Sequence, residues 1–153
     1  DEDHEILDFF PYGYDERQYC SPGFNLPVGC LMRTPYNRYS EYHTSADNLD
    51  FVKPEFLEDS LLKYLEVLNI IENNRRYLNQ YPKCEPQLGK RKLYDGMEGK
   101  KKQAVDPLAM LWVLNMSDAD HSLLDIAMLG QLKFGDVQLA AHALLEKNLL
   151  KEV

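Results

Sequence analysis

The sequence is poor in cysteine, poor in positive charge and without any long apolar run. Its three cysteines, Cys20, Cys30 and Cys84, form an odd set with no C-x-x-C pair. That excludes a complete disulfide framework and a structural zinc knuckle, and it predicts a reducing, cytoplasmic setting. No stretch approaches the roughly 18 consecutive apolar residues that span a bilayer, and the first residues lack the basic-then-apolar order of a secretory signal. A soluble chain without membrane contact is expected. Lys and Arg number 17 against 25 Asp and Glu, a formal charge of −8. The excess is uneven: residues 1–87 hold 8 basic and 16 acidic side chains, whereas residues 88–153 hold 9 of each. Nucleic acid is therefore disfavoured as a partner, because binding it requires clustered cations that displace counterions from phosphate. An initiator Met is also lacking. The chain opens Asp1-Glu2-Asp3-His4 and by Ile6-Leu7-Asp8-Phe9-Phe10 already reads as a buried strand, so it is expected to be a piece of something longer.

What is present falls into three stretches. Residues 1–81 read as strands, long ordered loops and one helix. Pro11, Pro22, Pro27 and Pro35 break regular structure early, and six of the ten tyrosines lie between Tyr12 and Tyr42. Tyrosine joins an apolar ring to a polar tip, so these loops either line a site or pack as a tyrosine-rich surface on a sheet, and composition leaves both open. Pro54 opens a helix where its missing N–H costs nothing. Leu57, Leu61, Leu65, Leu68 and Ile71 recur at three- and four-residue spacing, which predicts an apolar face packed on a core and an end near Asn73-Asn74 or a frayed run to Gln80. Residues 82–103 read as a linker or basic hairpin, with Gly89-Lys90-Arg91-Lys92 and Gly99-Lys100-Lys101-Lys102 flanking a Tyr94-Asp95-Gly96 turn.

Residues 104–153 change to compact helices. Asp106 caps a helix with Pro107 at its first position and an apolar stripe of Leu108, Leu111, Trp112 and Leu114, and Asp118 to His121 break it. Ser122 with Asp125 forms a capping box for a second helix that Gly130 stops. Val137 to Leu145 forms a third, Asn148 ends it in a left-handed conformation, and Leu149 to Val153 is a short strand. Three helices with a tight turn between the last two, then a strand, make a winged helix. Its third helix and flanks offer Lys133, Asp136, Gln138, His142, Glu146 and Lys147, in which acids and bases cancel, so a packing or protein-contact role outweighs DNA reading. His4, His121 and His142 read as ordinary surface or edge residues, and Cys20 as structural, since no motif places a base to activate it.

The segment with chemical content is Glu41-Tyr42-His43-Thr44-Ser45-Ala46-Asp47-Asn48-Leu49-Asp50. A loop His followed by small hydroxyl residues and an acid suits metal ligation, although zinc needs at least three protein ligands. Tyr42-His43-Thr44-Ser45-Ala46-Asp47-Asn48-Leu49 resembles the Y-H-T-x-x-D-x-L signature of co-catalytic zinc aminopeptidases and related carboxypeptidases. The run Tyr14-Asp15-Glu16-Arg17-Gln18-Tyr19-Cys20-Ser21-Pro22-Gly23, with Asn25-Leu26-Pro27-Val28-Gly29, is similar to a segment of a bacterial aminopeptidase-like branch of that group, whose members carry a C-terminal winged helix. Tyr14 stands where that branch usually has Ser.

The resemblance implies an α/β fold, of which this chain is the C-terminal part, plus a small, mostly α winged-helix domain. It implies His43 as the last zinc ligand, Asp15 and Glu16 as candidate catalytic residues, and Arg17, Tyr19 and Tyr42 as candidates for holding a peptide or aminoacyl substrate. It further implies that the other ligands of a two-zinc site, and the Glu that deprotonates the shared water, lie in a peptidase portion upstream of Asp1. The chain alone is then inactive. A non-catalytic interaction module that docks a protein or another subunit, with a homo-oligomer as one form, is the alternative.

Overall fold

A computed structural model describes residues 4–93 and 105–153. The chain divides into two compact units, Asp1–Ser60 and Leu61–Val153. The turn expected at Tyr94-Asp95-Gly96 and the second basic run lie outside the described residues.

Unit 2 contains the sheet and the helical core. Helix α2, Pro54–Asn73, crosses the unit boundary in sequence, and strand β1, Arg76–Asn79, follows it; α3 is Pro107–Met116, β2 Asp118–Ser122, α4 Leu123–Gly130, α5 Phe134–Glu146 and β3 Leu150–Glu152. The sheet is antiparallel in the order β2-β1-β3. Leu78 faces Lys151 and Asn79 faces Leu150 across one ladder, while Arg76 faces Ser122 and Leu78 faces Asp118 across the other. Residues 76–79, expected in the first stretch as the frayed end of a helix, thus form the central strand of the C-terminal sheet. The helix ends at Asn73 because Asn74 is engaged elsewhere: its Oδ1 accepts the Leu124 N–H at 2.9 Å, and the Arg75 carbonyl accepts the Leu123 N–H at 2.9 Å.

The apolar stripes of the three C-terminal helices converge. Met110, Val113, Leu123, Ile126, Val137, Ala141, Leu144 and Leu149 are all at most 1% exposed, so this unit takes the full benefit of removing apolar surface from water. Tyr77 of β1 closes the core at 3% exposure, and burial followed by the nearby Glu152 pushes its phenol upward. Both caps read from the sequence are formed. Asp106 accepts the Leu108 N–H at 2.9 Å, and Ser122 with Asp125 makes a reciprocal capping box. The end of α4 differs from expectation. The left-handed residue is Gln131 (φ 52°), whereas Gly130 is held to minimal size because a Cβ there would stand 3.2 Å from the Trp112 ring.

The break at Asp118 to His121 is a strand with a local fault. Its register against β1 shifts between Arg76 and Leu78, and Ala119 adopts φ 79°. The Asp118 carboxylate takes up the N–H groups released from the ladder, those of Asp120 at 2.9 Å and His121 at 3.0 Å, and also meets His121 Nδ1 at 2.8 Å. His121 is therefore half-buried against a carboxylate rather than loose in solvent.

Unit 1 is loop-rich. Its one complete helix is α1, Asp15–Tyr19. The strand expected at Ile6 to Phe10 is not formed: these residues have no ladder partner among the described residues, and Ile6 and Phe10 are 88% and 73% exposed. A strand requires a neighbour to take its backbone groups. Helix α2 likewise departs from expectation. Leu57, Leu61, Leu65, Leu68 and Ile71 are each more than half exposed, so its apolar face is laid out as the spacing predicts but is not packed. Among the described residues no helix is long and apolar enough to cross a membrane.

The hydrogen bonds to Asp118, the His121 backbone N–H first, lower its carboxyl pKa from 3.8 to about 2. A depressed folded-state value contributes stability that is full above pH 3.8 and is lost as pH falls toward 2. Asp118→Asn is expected to lower the urea midpoint at pH 7, read by the fluorescence of Trp112, with the gap to wild type closing between pH 4 and pH 2. A gap independent of pH over that range would reject this account.

Candidate functional site

The tyrosine-rich loops of unit 1 build a small concavity of about 120 Å³ lined by Tyr12, Gly13, Tyr14, Arg17, Tyr36, Tyr42 and His43. Two backbone devices form it. At one side the chain turns sharply through Gly13, at φ 60°, before entering α1. A Cβ at Gly13 would make the Glu16 carboxylate swing aside, but it is the positive φ that calls for glycine. On the other side Glu41 to Thr44 form a turn closed by the Thr44 N–H on the Glu41 carbonyl at 3.1 Å. His43 is its third residue and sits at φ 57°. Histidine, like Asn and Asp, is among the side chains that tolerate this left-handed position.

Side-chain hydrogen bonds hold the following segment. The Thr44 hydroxyl donates to the Glu41 carbonyl at 2.9 Å and accepts the Ala46 N–H at 3.2 Å. Asn48 Nδ2 donates to the Ser45 carbonyl at 3.2 Å, and Asn48 Oδ1 accepts the Asp50 N–H at 2.8 Å. The small and hydroxyl residues after His43 therefore serve the turn.

A chain of rings forms the wall. His43 stacks on Tyr42 with centroids 4.1 Å apart, Tyr42 lies 6.1 Å from Tyr36, and Tyr36 lies 6.0 Å from Tyr12. Desolvation, with Tyr12, Tyr14 and Tyr39 adding to it, raises the Tyr42 pKa; Cys30, and then burial, raises that of Tyr36. Both phenols are thus neutral O–H donors at ordinary pH. Cys20 is structural, as expected, with its thiol donating to the Leu26 carbonyl at 3.3 Å.

Of the residues singled out from sequence, Arg17, Tyr42 and His43 share this concavity. Glu16 lines a neighbouring open groove of about 660 Å³ with Phe9, Phe10, Val28 and Met32, while Asp15 and Tyr19 line neither. Tyr12, Gly13 and Tyr36 were not singled out individually, and Tyr14 was noted only as a departure from the resembled motif; the density of tyrosines was the one signal for Tyr12 and Tyr36. The described residues contain no group of three or more His, Cys, Asp or Glu able to hold a metal. His43 is a single imidazole, and these residues do not complete a zinc site.

Residues 75–152 match the winged helix-turn-helix family. The chain belongs to that family. Its start at Arg75 coincides with the approach to β1, the strand that completes the sheet. Residues 1–74 match a second family, described as "Domain of unknown function (DUF4910)". A Clostridium acetobutylicum protein provisionally named as a polysaccharide biosynthesis protein with an aminopeptidase-like domain is 54% identical over 151 residues, 99% of this chain. A crystal structure of a protein from the same organism, provisionally described as a peptidase, superposes with a TM-score of 0.83 at 54% identity over 95% of this chain. The chain spans 35% of the length of the first and 31% of the second. It is thus similar to part of proteins named as peptidase-like, and its mixed α/β architecture with a winged helix agrees with the fold expected from the sequence.

Gly13→Ala would place a Cβ at positive φ and against Glu16. It is expected to destabilise unit 1 by about 1 kcal/mol or more, measured as a lower urea midpoint in the near-ultraviolet tyrosine signal. An unchanged midpoint would show that the turn does not depend on glycine.

Proposed function

We propose that the chain is the C-terminal portion of a zinc-dependent, aminopeptidase-like hydrolase. His43 is the last metal ligand in this reading, and the concavity beside it is the substrate-site loop. The observation that carries the proposal is the placement of His43: a left-handed turn and a stacked tyrosine hold one imidazole at the rim of a concave site that also contains Arg17. The peptidase names of the two relatives support it, and so does the share of their length that lies outside the matched region.

Since zinc requires at least three protein ligands, the remaining ligands and the catalytic acid–base group belong to a further peptidase portion. The unpacked face of α2 and the groove lined by Phe9 and Phe10 offer apolar surface for that portion to cover. Within this chain, Tyr42 orients the imidazole by stacking, and the turn from Glu41 to Thr44 fixes its position. Glu16 lines the adjoining groove, which shares Tyr12, Gly13 and Tyr36 with the concavity, while Asp15 lines neither.

The winged helix fits a protein-contact role better than nucleic-acid reading. On α4, Met128 and Leu129 are 70% and 54% exposed, and the exposed Lys133 and Lys147 around α5 are offset by Asp136 and Glu146.

In the full-length protein, His43→Ala is expected to lower bound zinc, read by elemental analysis, and to reduce hydrolysis of aminoacyl and dipeptide substrates by at least about tenfold, the lower end of what even outer-shell ligand changes cost. Zinc content and hydrolysis equal to wild type would remove His43 from the metal site.

A further inference from the structure

Unit 1 carries four Lys and Arg against thirteen Asp and Glu. Of its three arginines, Arg33 pairs with Asp59 and lies over the Phe56 ring, and Arg38 pairs with Glu5 at 2.9 Å. Arg17 makes no ion pair among the described residues, yet it lines the concavity, where the described lining contains no carboxylate. An exposed cation without an ion pair in so acidic a unit, at an open concavity, is suited to an anion brought by a ligand.

We propose that Arg17 is the binding site for a single carboxylate of an amino acid or short peptide, held in the recess between Tyr12, Tyr36 and Tyr42. The guanidinium offers five donors in a planar fork and matches a carboxylate through two parallel hydrogen bonds. The neutral phenols of Tyr36 and Tyr42 supply further O–H donors, and the rings accept the apolar part of the ligand. One cation in a negatively charged unit matches a monoanion; a phosphate dianion would call for more positive charge than the recess holds. A recess of about 120 Å³ takes the carboxylate and the atoms next to it, not a whole peptide. Arg17 is thereby a specificity-determining residue, distinct in role from His43, and the inference rests on the peptidase reading by naming the kind of substrate.

Binding, not turnover, tests it. Calorimetric titration of the full-length protein compares N-acetylphenylalanine with its amide, and N-acetylglutamate α-amide with N-acetylglutamine α-amide. Wild type is expected to prefer the acid in one pair by at least about tenfold, as charge-assisted hydrogen bonds provide; the pair concerned tells a chain-terminal from a side-chain carboxylate. Arg17→Gln is expected to abolish the preference and Arg17→Lys to keep part of it. No acid preference in either pair, or a preference that persists in Arg17→Gln, would overturn the proposal. No acid preference in the wild type, alongside the zinc and activity loss of His43→Ala, rejects this inference alone. An intact preference with no effect of His43→Ala rejects the peptidase reading instead.

Discussion

Apolar side chains stabilise a fold only where neighbours take them out of water, and this chain meets that condition in one half and not in the other. Around α3, α4 and α5, the large core side chains Met110, Leu123, Ile126, Leu144 and Leu149 are fully buried. Between Ile6 and Ile71 the described large apolar side chains are largely exposed, and α2 has no buried residue in twenty. Exposed apolar patches of that extent mark interaction surfaces. The contrast underlies the functional reading: a winged helix with a core of its own, preceded by loops and a helix whose apolar surface awaits cover.

The site depends on a backbone constraint of the same segment. Loops do not ordinarily hold side chains to catalytic tolerance, but two left-handed positions, Gly13 and His43, fix the walls of the concavity. Tilted ring contacts from Tyr12 through Tyr36 to Tyr42, and the stack of Tyr42 on His43, link the walls. In the proposed reading the imidazole and the guanidinium have separable tasks, one toward a metal and one toward a carboxylate.

The C-terminal part was the more legible in the sequence, because its determinants are local. Asp106-Pro107 and the Ser122 and Asp125 box each act within a few residues, and each is realised, but the stripe expected on α3 is not: Leu108 and Leu111 are 51% and 39% exposed, and Ala109, Met110 and Val113 join Leu114 in the core. Strand β1 was missed because its partners, Asp118 to Ser122 and Leu150 to Glu152, lie roughly 40 to 75 residues away, and a four-residue strand carries too little periodicity to announce itself. The stripe of α2 was read correctly as a pattern. Its burial was not, since periodicity states which residues share a face and not what covers it. In the site, His43 was found through its motif. Tyr12, Gly13 and Tyr36 emerge only when the loops fold back.

The central claim, that residues 4–73 are part of a larger peptidase-like fold, is tested most directly by amide hydrogen exchange. The 153-residue chain is compared with the longer protein that carries the proposed peptidase portion. Amides of α3, α4 and α5 are expected to exchange equally slowly in both, because their core is complete. Amides of α2 are expected to exchange at least about tenfold more slowly in the longer protein, since local opening becomes costlier once the apolar face is covered. Equal rates for α2 in the two proteins would contradict the account.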